Sequence, residues 1–144
     1  MITVKRLLEK KGDAIWSIPP HAMVYEALSL MAEKNIGAVL VIEREILVGI
    51  LSERDYARKI ILRGKRSIDT QVWEIMTPDV IFVNPDQSIE ECMAIMTEKH
   101  VRHLPVFSGE ELVGLISIGD VVKELISEKE FVIEQLENYI AGRQ

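Results

Sequence analysis

Two stretches decide the fold: Leu47-Val48-Gly49-Ile50-Leu51-Ser52-Glu53-Arg54-Asp55 and Leu112-Val113-Gly114-Leu115-Ile116-Ser117-Ile118-Gly119-Asp120. They are two versions of one pattern. Each opens as an apolar run with strand character and closes on a Ser-x-x-Asp step that starts a helix. Working outward, the same 65-residue offset pairs Pro20 with Pro85, Glu26 with Glu91, Met31 with Met96, Glu33 with Glu98 and Lys34 with Lys99. It continues without a gap through Val41 on Val106 and Glu45 on Glu110. Conservative pairs such as Ile36 with Val101 and Ile50 with Leu115 fill the positions between. The chain is therefore a duplication of one supersecondary unit.

Each copy reads as strand, helix, strand, strand, helix. In the second, Val80 to Val83 is a short apolar strand stopped by Asn84 and Pro85, and Asp86 is the expected N-cap of the next helix. Ile89, Cys92, Met93 and Met96 recur at helical spacing, as Val24, Ala27, Leu28 and Met31 do in the first copy. Hairpins follow, Ala38 to Ile42 with Leu47 to Leu51, and Leu104 to Phe107 with Leu112 to Ser117. Closing helices carry Tyr56, Ala57, Ile60 and Ile61, or Val121, Val122, Leu125 and Ile126. One such unit buries too little surface alone. The expectation is an α+β fold of two pseudo-twofold-related β-α-β-β-α repeats packed sheet to sheet. The predicted segments are an N-terminal helical extension over 1–14, motif 1 over 15–63, a linker over 64–78, motif 2 over 79–128 and a C-terminal helical extension over 129–144.

Composition narrows the function. The chain has 144 residues, 48% hydrophobic and 28% charged, enough for a real core and unlike a disordered segment. Its net charge of -6 argues against a broad phosphate-backbone interface with nucleic acid. Apolar runs such as Ile46 to Leu51 are too short to span a bilayer, and the N-terminus lacks a signal-peptide core. A single cysteine, Cys92, suits a reducing compartment and stands on a helix face expected to be buried. The predicted location is the cytoplasm.

Gly-x-x-Ser-x-x-Asp lies where a strand runs into a helix N-terminus. Free N–H groups and the helix dipole there favour an anion, a serine hydroxyl adds a donor, and a carboxylate can accept from both hydroxyls of a ribose diol. Glycine would allow close approach of a ligand to the backbone. The same Ser-x-x-Asp spacing also forms a capping box in which Asp reaches back to the serine N–H. Duplication copies either role, so spacing leaves both open.

With Gly49, Ser52, Glu53, Arg54 and Asp55, with Val72, Glu74, Ile75, Met76, Thr77 and Pro78, and with Val101, Arg102, His103, Leu104, Pro105 and Val106, the chain closely resembles the tandem form of the CBS (cystathionine beta-synthase) domain family. The resemblance covers Ile15 to Ile126. It implies a regulatory pair of motifs whose cleft binds an adenosine-containing ligand such as AMP, ADP, ATP, NAD or S-adenosylmethionine, with no chemistry done on it and no cofactor required. Carried over by position, Asp55 and Asp120 would hold ribose, with Ser52 and Ser117 on ribose or phosphate. Ser17, Pro19, Gly37, Ala38, Val83, His103 and Pro105 would lie along the adenine, and Arg54 and Arg102 would neutralise phosphate. Because Arg54 aligns with Gly119 and Arg102 with Gly37, the resemblance implies two unequal sites, or one good site drawing arginines from both copies. It also implies a homodimer, for which Tyr56, Ile60, Val121 and Leu125 are the expected apolar faces, and a regulated enzyme as a possible partner.

Other candidates weigh less. His100 and His103 have an HxxH spacing, but one falls at a helix end and the other in a strand, so no metal is expected. Trp16 and Trp73, near the starts of the copies, are expected between helix and sheet. No acid–base pair with catalytic spacing stands out. A purely structural dimerisation module and a weak nucleotide hydrolase are the alternatives.

Overall fold

The computed structural model describes residues 2–142, which fold as two compact units, 15–80 and 2–14 together with 81–142. In the first unit, β1 (Ser17–Ile18) pairs parallel with β2 (Ala38–Glu43), and β2 pairs antiparallel with β3 (Ile46–Ser52). Between β1 and β2 runs α2 (Val24–Lys34), which buries Val24, Ala27 and Met31, the stripe set by its 3.6-residue period. Asn35 ends it in the left-handed conformation. Val39, Val41 and Leu51 close the core with Ile60, Val72 and Ile75.

The second unit repeats this with α4 (Ile89–Lys99), β4 (His103–Ser108) and β5 (Glu111–Ser117). Even the irregularities repeat. The β2–β3 register shifts between Val41 and Ile42, and the β4–β5 register between Val106 and Phe107, at matching positions of the two copies. The helix begins at Ser88, whose Oγ accepts the Glu91 N–H at 3.1 Å, and not at Asp86. Asp86 instead donates its N–H to Asn84 Oδ1 in a local turn.

One expected strand is nearly absent. Val80 to Val83 is reduced to a single parallel bridge, Val83 with Val106. The reason lies in the facing strand. In the first unit Leu40 donates its N–H to Trp16 O at 3.1 Å, whereas its counterpart Pro105 has no N–H to give, so pairing stops there.

The closing helices also differ. After β3 comes one α-turn, α3 (Glu53–Tyr56), running into a π-turn over Ala57–Ile61, while after β5 comes a continuous α5 (Ile118–Ile140). Ile60 and Val121 are buried in the cores of their own units and so cannot belong to the outward dimer face expected of them, while Tyr56 and Leu125 are half-buried against those cores. The exposed apolar residues of α5 stand farther round the helix and toward its end, and include Val122, Ile126, Val132, Ile133 and Leu136.

Each unit is closed by a segment from outside its repeat. Helix α1 (Val4–Lys11) sinks Val4, Leu7 and Leu8 into the core of the second unit, and the 71–76 stretch sinks Val72 and Ile75 into the core of the first. The docking bonds correspond. Val4 and Lys5 donate to Gln87 O and Pro85 O, while Val72 and Trp73 donate to Ala22 O and Pro20 O, the same carbonyl positions of the repeat. Trp16 and Trp73 do not enter a core. They are 37% and 53% exposed, Trp16 under the Lys34 ammonium at 4.4 Å and Trp73 with its ring N–H on Gln71 Oε1.

Candidate functional site

Both Ser-x-x-Asp steps are complete capping boxes. Ser52 Oγ accepts the Asp55 N–H at 3.2 Å, and Asp55 Oδ2 accepts the Ser52 N–H at 3.0 Å and its hydroxyl at 3.1 Å. Likewise Ser117 Oγ accepts the Asp120 N–H at 3.2 Å, and Asp120 Oδ2 accepts the Ser117 N–H at 2.8 Å. Capping uses one carboxylate oxygen in each case. It does not by itself exclude a ligand from the other.

That second oxygen distinguishes the two motifs. Asp55 Oδ1 accepts from Thr77 Oγ1 at 3.3 Å and meets Lys59 Nζ at 3.1 Å, so both oxygens of Asp55 are in use. Asp120 Oδ1 accepts no hydrogen bond among the described residues, and its cation, Lys11 Nζ, sits at 2.6 Å on the capping oxygen Oδ2. Each lysine also donates to a backbone carbonyl, Lys59 to Ile75 O at 3.0 Å and Lys11 to Leu115 O at 2.9 Å.

The source of the cation follows from the repeat. Lys59 stands four residues after Asp55 in the same helical segment, a favourable spacing, but the residue four after Asp120 is Glu124. The second copy therefore takes its cation from α1. Lys10 pairs with Glu124 at 3.0 Å and Lys11 with Asp120, so the last turn of α1 satisfies two carboxylates of α5. Two lysines at a helix C-terminus also suit its dipole.

Burial of Asp120 works to raise its carboxyl, but the bonds from Lys11 and the Ser117 amide outweigh that and hold it below the usual carboxylate range. His103, opposite Ser117 in the β4–β5 ladder, is pushed down by burial; Asp120 opposes the shift, and Lys11 and Arg102 add to it. The imidazole beside Asp120 is thus kept neutral near pH 7. Cys92 lies buried on α4 with its thiol pushed up to about 11 by burial and then by Glu91, and it carries no thiolate chemistry.

The remaining sequence-selected residues divide by accessibility. In the first unit, Ser17 and Pro19 are exposed at β1, and Ala38, opposite Ser52, is buried. Gly37 contributes its carbonyl, which accepts the Glu53 N–H at 3.0 Å, and Arg54 is half-buried on α3. In the second unit Arg102 repeats the Gly37 role through its own carbonyl, which accepts the Ile118 N–H at 2.8 Å, while its side chain is exposed. Val83 and Pro105 are buried and bonded to each other through the backbone. Ser52 with Asp55, and Ser117 with Asp120 and His103, are the groupings that the fold brings together.

Gly49 and Gly114 do not open the backbone to a ligand. A Cβ on Gly49 would lie 2.6 Å from Met76 Sδ and 3.0 Å from Thr77 O, and one on Gly114 would lie 2.7 Å from Leu8 Cδ2. These glycines make room for the docking segments. Lys11 and Lys59 were not singled out in the sequence, and Thr77 was, though not as a partner of Asp55. The Asp55–Lys59 spacing could have revealed the second of them, whereas no local pattern links Lys11 to Asp120 across 109 residues.

Comparison with known proteins agrees with this architecture. The CBS domain family model matches residues 1–62 and 72–127. The CBS domain-containing protein CBSX3, mitochondrial, of Arabidopsis thaliana is 35% identical over 150 residues, covering 97% of this chain and 72% of its own length. The structure of a putative signal-transduction protein with CBS domains from Burkholderia ambifaria is 50% identical with a TM-score of 0.86, covering 88% of this chain and 95% of that one. The CBS domain pair of protein MJ0100, solved in complex with 5'-methylthioadenosine and S-adenosyl-L-methionine, shares the fold at 24% identity and a TM-score of 0.75, over 90% of this chain and 98% of that one.

Proposed function

The chain belongs to the CBS domain family, whose paired modules are as a rule regulatory nucleotide binders and not enzymes, and from that premise we propose that it senses an adenosine-containing ligand such as AMP, ADP, ATP or NAD. The observation that carries this reading is the carboxylate of Asp120. It is fixed at the start of α5 by Ser117, held ionised, 25% exposed, and keeps Oδ1 open to a ribose hydroxyl. Ser117 and His103 supply further polar groups beside it. Asp55 offers the same frame with both oxygens engaged, so the Asp120 site is the stronger of the two. The complex of MJ0100 with two adenosine compounds supports the ligand class. We assign no reaction step to the chain.

The test is a titration of the full chain with AMP, ATP and NAD, followed by calorimetry and melting temperature. A ligand at 100 times its dissociation constant adds about 2.7 kcal/mol of stability. Asp120→Ala should weaken binding by about tenfold or more, since a hydrogen bond to a charged group contributes roughly 1.5–3 kcal/mol. Asp55→Ala should weaken it less. Absence of binding by all three nucleotides would leave the second reading, in which both Ser-x-x-Asp steps act only as caps.

The exposed apolar residues of α5 lead to a further part of the proposal, that the chain pairs with a second copy along Val122, Ile126, Ile133 and Leu136. These positions recur at helical spacing on one face, as a helix that packs against another requires. Light scattering should give twice the chain mass, and Ile133→Glu with Leu136→Glu should return it to the mass of one chain. A wild-type monomer at micromolar concentration would overturn the pairing.

A further inference from the structure

Lys11 occupies the group that the proposed ligand needs. The capping oxygen Oδ2 of Asp120 already accepts from Ser117 N–H at 2.8 Å and Lys11 Nζ at 2.6 Å, which uses both of its lone pairs. A vicinal diol bound bidentately places one hydroxyl on each carboxylate oxygen. Oδ1 is open; Oδ2 is not. One partner must leave, and the Ser117 amide is fixed by the helix cap, whereas Lys11 is 35% exposed and holds a second anchor on Leu115 O. The lysine is the partner that can move.

We propose, resting on the ligand reading above, that Lys11 is a specificity-determining residue of the second motif, which competes with an uncharged ribose diol for Asp120 and favours ligands carrying an anionic group that its ammonium can take instead. Drawing an ammonium off a carboxylate costs free energy that a nucleoside cannot return. A phosphate returns it, because the displaced ammonium exchanges one anion for another. Asp55 lacks this device. Its lysine belongs to its own helical segment, and Thr77 holds Oδ1 as well. In the second copy Glu124 stands at the position of Lys59, so the cation comes from α1, and Val4, Leu7 and Leu8 in the core keep that helix docked when Lys11 turns away.

The experiment compares adenosine with AMP, by calorimetry on the full chain, in wild type, Lys11→Met, Lys11→Arg and Lys10→Met. Lys11→Met should bind adenosine about tenfold more tightly while AMP gains nothing or weakens, so the preference for AMP shrinks at least tenfold. Lys11→Arg should restore the preference, and Lys10→Met should leave it unchanged. If Lys11→Met leaves the ratio of the two affinities where it was, or weakens adenosine, the inference is overturned while the sensor reading stands. If neither wild type nor any variant binds either compound, this inference is overturned, and the sensor reading falls with it only if ATP and NAD also fail to bind. A change of ratio in Lys10→Met equal to that in Lys11→Met also overturns it, because helix docking alone would then set the preference.

Discussion

Leu7→Ala should lower the stability of the second unit by about 2–5 kcal/mol, the loss expected for a buried leucine in a repeat core, although Leu7 lies outside both repeats. Leu7 is 1% exposed and shares one apolar cluster with Ile89, Leu104, Ile116 and Val121. Removing its isopropyl group leaves a cavity walled by strands and helices that cannot close over it. Urea denaturation followed by amide exchange in β4, β5 and α5 reads the effect where it arises. Leu62→Ala is the control, since Leu62 is 78% exposed and should change stability by no more than about 0.5 kcal/mol. Equal effects of the two substitutions would mean that α1 is not part of this core.

Gly49→Ala and Gly114→Ala should each cost about 1–3 kcal/mol, because a methyl group at either place meets atoms already there. At Gly49 one obstacle is the carbonyl of Thr77, whose N–H and C=O both pair with Ile50, so a whole segment must shift. At Gly114 the obstacle is the end of Leu8, and trimming it in the double variant Leu8→Ala, Gly114→Ala should recover part of the loss. Gly119 gives the contrast. A Cβ there meets only Ser117 Oγ at 3.6 Å, and Gly119→Ala within α5 should raise stability by about 0.5–1 kcal/mol. Thermal denaturation of the three variants separates them, and a neutral Gly114→Ala would refute the packing role given to that residue.

Local pattern made much of this fold legible. The apolar runs Ala38 to Ile42 and Leu47 to Leu51 with the polar connection Glu43 to Glu45 marked the hairpin, and the stripe Ile89, Cys92, Met96 marked α4, because both depend on near neighbours. Pairing between distant segments was not marked. The strand expected at Val80 to Val83 failed because Pro105, more than twenty residues away, withholds one hydrogen bond. The capping and ligand roles of Ser-x-x-Asp shared a spacing, and only the individual carboxylate oxygens distinguish Asp120, whose Oδ1 accepts no hydrogen bond among the described residues, from Asp55. The arginines expected to make the motifs unequal are Arg54 on a four-residue helical turn and Arg102 on the surface. Lys11 and Lys59 make the two carboxylates unequal as well. A lysine on a helix near the N-terminus has no sequence neighbour that identifies its carboxylate partner.

The docking of α1 also has a consequence for biosynthesis. Everything in Ile15–Val80, including the stretch that closes it, is contiguous, so this unit has all its parts once residue 80 has left the ribosome. Helix α1 emerges before this unit yet finds its partners only after Ile81. At ~5–20 residues per second the delay from Lys11 to Ile81 is roughly 4–14 s, with Val4, Leu7 and Leu8 uncovered. The segment that completes the second unit is thus made before the first unit and left waiting until after it.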